Sequence, residues 1–161
     1  MNISKNNIGT QIYLRDNVSF IRTLLPGLNH TSYLMMYAYE YNIQLAYNQN
    51  GTCILRFHKV PPQHTTFTNK LFPNIPIEKI IEAELDTFYP LGKIPRPEHM
   101  RKGIGSDIFK KIIRDCAQEG AHILYISTNS DIMKSFLAKH EFCNRQPASY
   151  LYYKTLYPKS I

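Results

Sequence analysis

A chain of 161 residues is the size of one domain, 1–161, and can bury a single core. With 43% hydrophobic and 19% charged residues it is neither a disordered nor a fibrous chain. A net charge of +7 favours an anionic ligand or partner, be it a nucleotide-like molecule, nucleic acid or a membrane surface.

The first 17 residues are polar throughout and lack the apolar core of a signal peptide, and no run approaches a membrane span. A soluble, cytoplasmic protein with no membrane partner is expected. Residues 12–14 read as a short strand, and 18–25 as a helix stopped by Pro26-Gly27. A second helix, capped by Asn29 or Thr31, is expected through the aromatic run SYLMMYAYEY. Residues 43–47 and 52–60 follow as strands joined at NQNG, and Pro61-Pro62 ends the second. A loop rich in Thr, Pro and Asn leads to a strand over 79–89. There Ile81, Ala83, Leu85 and Thr87 are expected on one face and Glu82, Glu84 and Asp86 on the other.

A Pro-rich connection, 91–100, leads to a helix opened by Gly105 or Ser106. Its apolar stripe is Ile108, Phe109, Ile112, Ile113 and Cys116, and Gly120 sits at the C-terminal cap. Residues 121–127 form a short apolar strand. Asn129 or Ser130 caps a further helix, 131–140, and 149–156 closes as a strand. Hairpin pairing combined with one strand–helix–strand crossover makes the class α+β with a mixed sheet. Cys53, Cys116 and Cys143 are scattered, with no CxxC pair and no His at ligand spacing. Free thiols and no metal are expected.

The stretch PEHMRKGIGS joins a loop to that amphipathic helix. Gly103 and Gly105 carry no side chain to keep an anion from the backbone. The amides of 101–106 and the positive end of the helix dipole point at one site, with Arg101 and Lys102 at its rim. It is neither a Walker A loop nor a dinucleotide GxGxxG, since Ile108 holds the third glycine position.

PEHMRKGIGS resembles the acyl-CoA loop of the GCN5-related N-acetyltransferases (GNAT), which commonly reads Pro-Glu-aromatic-Arg-Gly-Lys-Gly-Ile-Gly-Ser. The strand AHILYIS and the helix MKSFLAKHEF fall where that family has a strand and its last helix. The resemblance is motif-specific over 82–142 and topological before it. It implies a splayed mixed sheet flanked by helices, with acetyl-CoA as co-substrate entering between two central strands. Met100, Arg101, Lys102, Gly103, Ile104, Gly105, Ser106 and Asn129 are then the cofactor-binding set. Met100 stands where the family has Arg or Gln, Glu141 where it has a helix-ending Gly, and Leu137 where many members carry the Tyr that protonates the thiolate. The resemblance also implies a backbone amide within 89–94 polarising the carbonyl.

Direct transfer to a primary amine needs a base to remove the ammonium proton. The strand before the loop offers Glu84 first and Asp86 second. With Glu82 they form a period-two acidic strip, spaced about 7 Å at each step, that suits a cationic small-molecule or peptide amine. With Leu137 unable to donate a proton, Tyr150 is the candidate acid, ahead of Tyr125, Tyr152 and Tyr153. The spread of Lys and Arg along the chain disfavours nucleic acid as the partner, and nothing excludes a homodimer. An acyl-CoA-binding sensor without catalysis is the alternative.

Overall fold

A computed structural model describes residues 10–13, 19–25, 35–100, 103–146 and 150–156. Eight strands form one sheet in the order β1-β2-β3-β4-β5-β6-β8-β7. The strands are β1 Thr10–Tyr13, β2 Ser19–Leu24, β3 Met35–Leu45, β4 Gln49–Lys59, β5 Ile81–Tyr89, β6 Ile123–Ser127, β7 Cys143–Asn144 and β8 Leu151–Thr155. Among the described residues three α-helices accompany them: α1 Thr65–Leu71, α2 Ile104–Gln118 and α3 Asp131–Lys139. Among the described residues only the β5–β6 pairing is parallel. The chain is thus α+β with a mixed sheet flanked by helices, as expected. Among the described residues no helix is long and apolar enough to cross a membrane.

Two expected helices are strands instead. Within 18–25 the chain forms β2, and the aromatic run expected as a second helix lies in β3 from Met35 onward. The decisive period is two: Tyr39, Tyr41, Ile43 and Leu45 are all buried, whereas Glu40, Asn42 and Gln44 between them are not. Tyr and Ile also suit a pleated, half-buried surface better than a helix. Of the expected strand 43–47, residues 43–45 are the end of β3 and 46–47 enter the turn. That turn comes earlier than NQNG, at Tyr47 and Asn48, whose φ values of 62° and 56° are those of a type I′ hairpin. Gly51 serves a different purpose. A Cβ there would lie 2.2 Å from the carbonyl oxygen of Pro90, so glycine lets the end of β5 approach. The segment read as a Thr-rich loop contains α1. The Pro26-Gly27 stop and the Asn29 or Thr31 cap lie outside the described residues.

The second half of the chain follows its local signals. α2 ends with Gly120 at φ 96°, while Ala121 N–H bonds the Cys116 carbonyl at 3.0 Å, closing a Schellman motif. α3 ends the same way without glycine: Glu141 itself adopts φ 66°, and Phe142 N–H bonds the Leu137 carbonyl at 3.0 Å. α2 and α3 pack on one face of the sheet. There Phe109 meets Phe88 (5.2 Å between ring centroids) and Phe136 (5.0 Å). α1 covers the other face, where Phe67 meets Tyr153 at 5.0 Å. All three cysteines are free; Cys53 and Cys116 are buried and Cys143 is exposed.

The stripe on α2 contains one residue that apolar periodicity does not reveal, the buried Asp115. Tyr41 of β3 donates to its Oδ2 at 2.7 Å, and Lys111 to its Oδ1 at 2.7 Å. Arg22 of β2 lies 3.8 Å from Asp115 and 3.6 Å from Glu119. These contacts fasten the early strands to α2.

Candidate functional site

The sheet parts in its middle. β5 and β6 pair only from Glu82↔Ile123 to Glu84↔Tyr125. Beyond that pair β5 follows β4 and β6 follows β8, so the two central strands diverge. A cleft of about 600 Å³ opens beside the far end of β5. Phe88, Pro90 and Leu91 line one side; Gly105, Met133 and Phe136 line the side formed by α2 and α3. Aromatic and aliphatic walls with few polar groups suit a long, flexible, largely apolar arm.

Phe88 reaches this wall because β5 carries a bulge. Leu85 pairs Leu55 and Thr87 pairs Ile54, so Asp86 is the extra residue and Phe88 falls opposite buried Cys53. The alternation expected through Thr87 therefore breaks after Leu85. Thr87 lies on the face of Ile54, not on the core face. The loop after β5 is then held from β4: Gln49 Nε2 donates to the carbonyls of Leu91 at 3.0 Å and Ile94 at 2.9 Å. No sequence signal marks Gln49, because its partners are backbone atoms more than forty residues away. Within 89–94 the Gly92 amide already bonds the Tyr89 carbonyl at 3.0 Å.

Across the cleft, α2 begins at Gly103, whose φ of 80° is left-handed and whose position lacks a side-chain cap. The first intrahelical bond there among the described residues runs from Asp107 N–H to the Gly103 carbonyl at 3.0 Å. The amides of Ile104, Gly105 and Ser106 have no such acceptor among the described residues, as is usual at a helix start. Gly105 lines the cleft, and a Cβ there would meet only Pro90 Cγ at 3.7 Å. Packing does not require a glycine at that point, and its absent side chain leaves backbone open beside the cleft. Ser106 Oγ lies 3.2 Å from His140 Nε2. This arrangement fits an anionic diphosphate on the helix start with an apolar tail in the cleft.

The other expected cofactor contacts are dispersed. Ile104 is buried in the core and Met100 is half-exposed. Arg101 and Lys102 lie outside the described residues. Asn129 is exposed and does not cap α3; Ser130 does, accepting from Met133 N–H at 3.2 Å. Leu137 is fully buried, whereas its neighbour Phe136 faces the cleft.

The three acidic residues of β5 do not form a continuous strip. Glu82 is fully buried under α1. Asp86 on the bulge pairs with Arg56 Nη2 at 3.3 Å. Glu84 alone is half-buried beside the parting point. Tyr150 precedes β8 and is exposed; its carbonyl accepts from Thr128 N–H at 2.8 Å, but it does not line the cleft. Tyr125, the partner of Glu84, is buried, and burial with Glu82 nearby pushes its hydroxyl well above the ordinary phenol range. Among the described residues no group of three His, Cys, Asp or Glu is placed to hold a metal.

No family model and no curated protein matches the chain. Among solved structures, one titled "AtaT complexed with acetyl-methionyl-tRNAfMet" is similar over 79% of this chain and 74% of its own. The identity is 11% and the TM-score 0.45. That likeness is too distant to carry a fold or an activity across.

Proposed function

We propose that this chain, acting as a single domain, is an acyl-CoA-dependent N-acyltransferase that moves an acetyl group from acetyl-CoA to a primary amine. The observation that carries this reading is the parting of β5 and β6 after Glu84 and Tyr125, with the uncapped glycine start of α2 across the resulting cleft. The diphosphate sits on the amides of 104–106 with the Ser106 hydroxyl, and the pantetheine arm runs between Phe88 and Phe136. The thioester then lies at the parting point. The motif PEHMRKGIGS supports the same assignment through its resemblance to the GNAT acyl-CoA loop.

Glu84 is the acidic side chain of β5 left beside the gap, and it attracts the ammonium group of the acceptor. Asp86 is neutralised by Arg56 and contributes little to that attraction. Holding both reactants at the parting point supplies much of the rate by removing the entropy of their encounter.

The test is a thermal-shift titration with acetyl-CoA and with short RNA, followed by thiol release in the presence of an amine panel. The panel spans polyamines, lysine peptides, peptide N-termini and aminoacyl-tRNA. Stabilisation by acetyl-CoA together with acetylation of one amine class is expected. Stabilisation by RNA alone overturns the reading, and acetyl-CoA binding without transfer to any amine makes the chain an acyl-CoA sensor.

A further inference from the structure

On the sheet face covered by α1, Glu82 is fully buried. A carboxylate there needs partners. His64, in the turn just before α1, presents Nδ1 to both oxygens at 3.0 and 3.2 Å. Thr68 Oγ1 lies 3.5 Å from Oε2, and His58 Nδ1 lies 3.8 Å from Oε1 while also facing the Lys59 carbonyl at 2.9 Å. A carboxylate only accepts hydrogen bonds, so the proton of the neutral His64 ring is on Nδ1 and Nε2 carries the free lone pair.

Anchoring α1 needs only Nδ1. Nε2 has no partner among the described residues, and the His64 side chain is 18% exposed. The ring lies against Tyr125, with centroids 4.9 Å apart. Tyr125 is the register partner of Glu84, in the last pair before β5 and β6 separate. A carboxylate-oriented imidazole therefore stands beside the parting point, on the face away from α2 and α3. An acceptor approaching from that face meets the thioester through the gap.

We infer that His64, oriented by Glu82, is the proton acceptor for the amine, in place of the Glu84 expected from the sequence; this rests on the transferase reading above. An imidazole is better matched to an ammonium proton near neutral pH than a solvated carboxylate is. The ammonium group gives one proton to Nε2, and the freed lone pair forms the C–N bond at the thioester carbon. The C–S bond breaks with its electron pair leaving on sulfur. The second nitrogen proton goes to that sulfur, and His64 returns its proton to water. Ammonium and thioester become amide, thiol and one proton.

The experiment compares wild type, His64→Ala, His64→Gln, Glu82→Gln and Glu84→Gln. Each is given acetyl-CoA with spermidine, a lysine-containing peptide and a peptide carrying only a free N-terminal amine. His64→Ala is expected to lose about a hundred-fold or more in kcat at unchanged KM for acetyl-CoA, and millimolar imidazole restores part of it. His64→Gln, which keeps a donor toward Glu82, melts like wild type yet stays inactive. Glu82→Gln lowers kcat less, and Glu84→Gln raises the acceptor KM. If wild type acetylates an amine and His64→Ala does so within two-fold, or imidazole restores nothing, the assignment of His64 is overturned alone. If wild type binds acetyl-CoA and acetylates no amine of the wider panel that includes aminoacyl-tRNA, or does not bind it, the transferase reading falls and this inference with it.

Discussion

Ser106 Oγ and His140 Nε2 lie 3.2 Å apart, so the end of α3 touches the first turn of α2 beside the cleft. The His140 ring is enclosed by Phe109 at 4.8 Å and Phe136 at 4.7 Å. Burial, and then Lys110, Lys154 and Lys139, lower its pKa. Burial also lowers that of His122, whose Nδ1 accepts from Ile81 N–H at 3.2 Å. Both imidazoles are thus harder to protonate in the folded chain than in the unfolded one. As pH falls through the ordinary imidazole range the unfolded state takes up protons first, so stability falls with it. Urea midpoints should drop between pH 7.5 and 5, and less steeply in a His122→Asn, His140→Gln double variant.

Gly105 tests the helix start without disturbing the fold. Alanine there meets only Pro90 Cγ at 3.7 Å, and replacing a helical glycine stabilises by roughly 0.5–1 kcal/mol. Gly105→Ala should melt slightly higher than wild type, and Gly105→Leu should lose at least about ten-fold in acetyl-CoA affinity while remaining folded, because its side chain enters the cleft. Titration calorimetry beside thermal melts reads both effects.

Gln49 holds the opposite wall. Gln49→Leu leaves the Leu91 and Ile94 carbonyls without their donor, at a cost of about 1–2 kcal/mol. Amide exchange should accelerate over 91–96 while α2 stays protected, and acetyl-CoA affinity should fall without a change in the acceptor KM.

The buried Asp115 depends on Tyr41. Tyr41→Phe removes a 2.7 Å donor from a carboxylate that remains buried, and should destabilise by about 1–3 kcal/mol in urea unfolding. Tyr37→Phe removes a 3.0 Å bond to Glu119 in a part-buried site and should cost less.

Glu141 occupies the left-handed position where a glycine is expected after a helix. Relief of that conformation, about 1–2 kcal/mol, is partly offset by the added freedom of glycine in the unfolded chain. Glu141→Gly should raise the melting temperature modestly and leave transfer unchanged.

Local signals placed α2, β6 and α3 within a few residues. Gly103, Gly120 and Ser130 act at their own helix ends, and the stripe from Ile108 to Cys116 has one period. The run at 35–41 carried no such mark, because consecutive apolar and aromatic residues satisfy a helix and a buried strand alike. Only the register with β2 and β4 turned Tyr39 and Tyr41 inward and Glu40 outward.

The glycine-opened helix start in PEHMRKGIGS was legible from its residues alone, because backbone conformation is a local property. The cleft it faces was not. That depends on where β5 and β6 cease to pair, on a bulge at Asp86 that carries Phe88 to the wall, and on Gln49 reaching across from β4. Glu82, one of three similar carboxylates in sequence, became the buried partner of His64 only when α1 folded over it. Residues brought together across the sheet leave no periodic trace in the chain, and their chemistry is decided by what buries them.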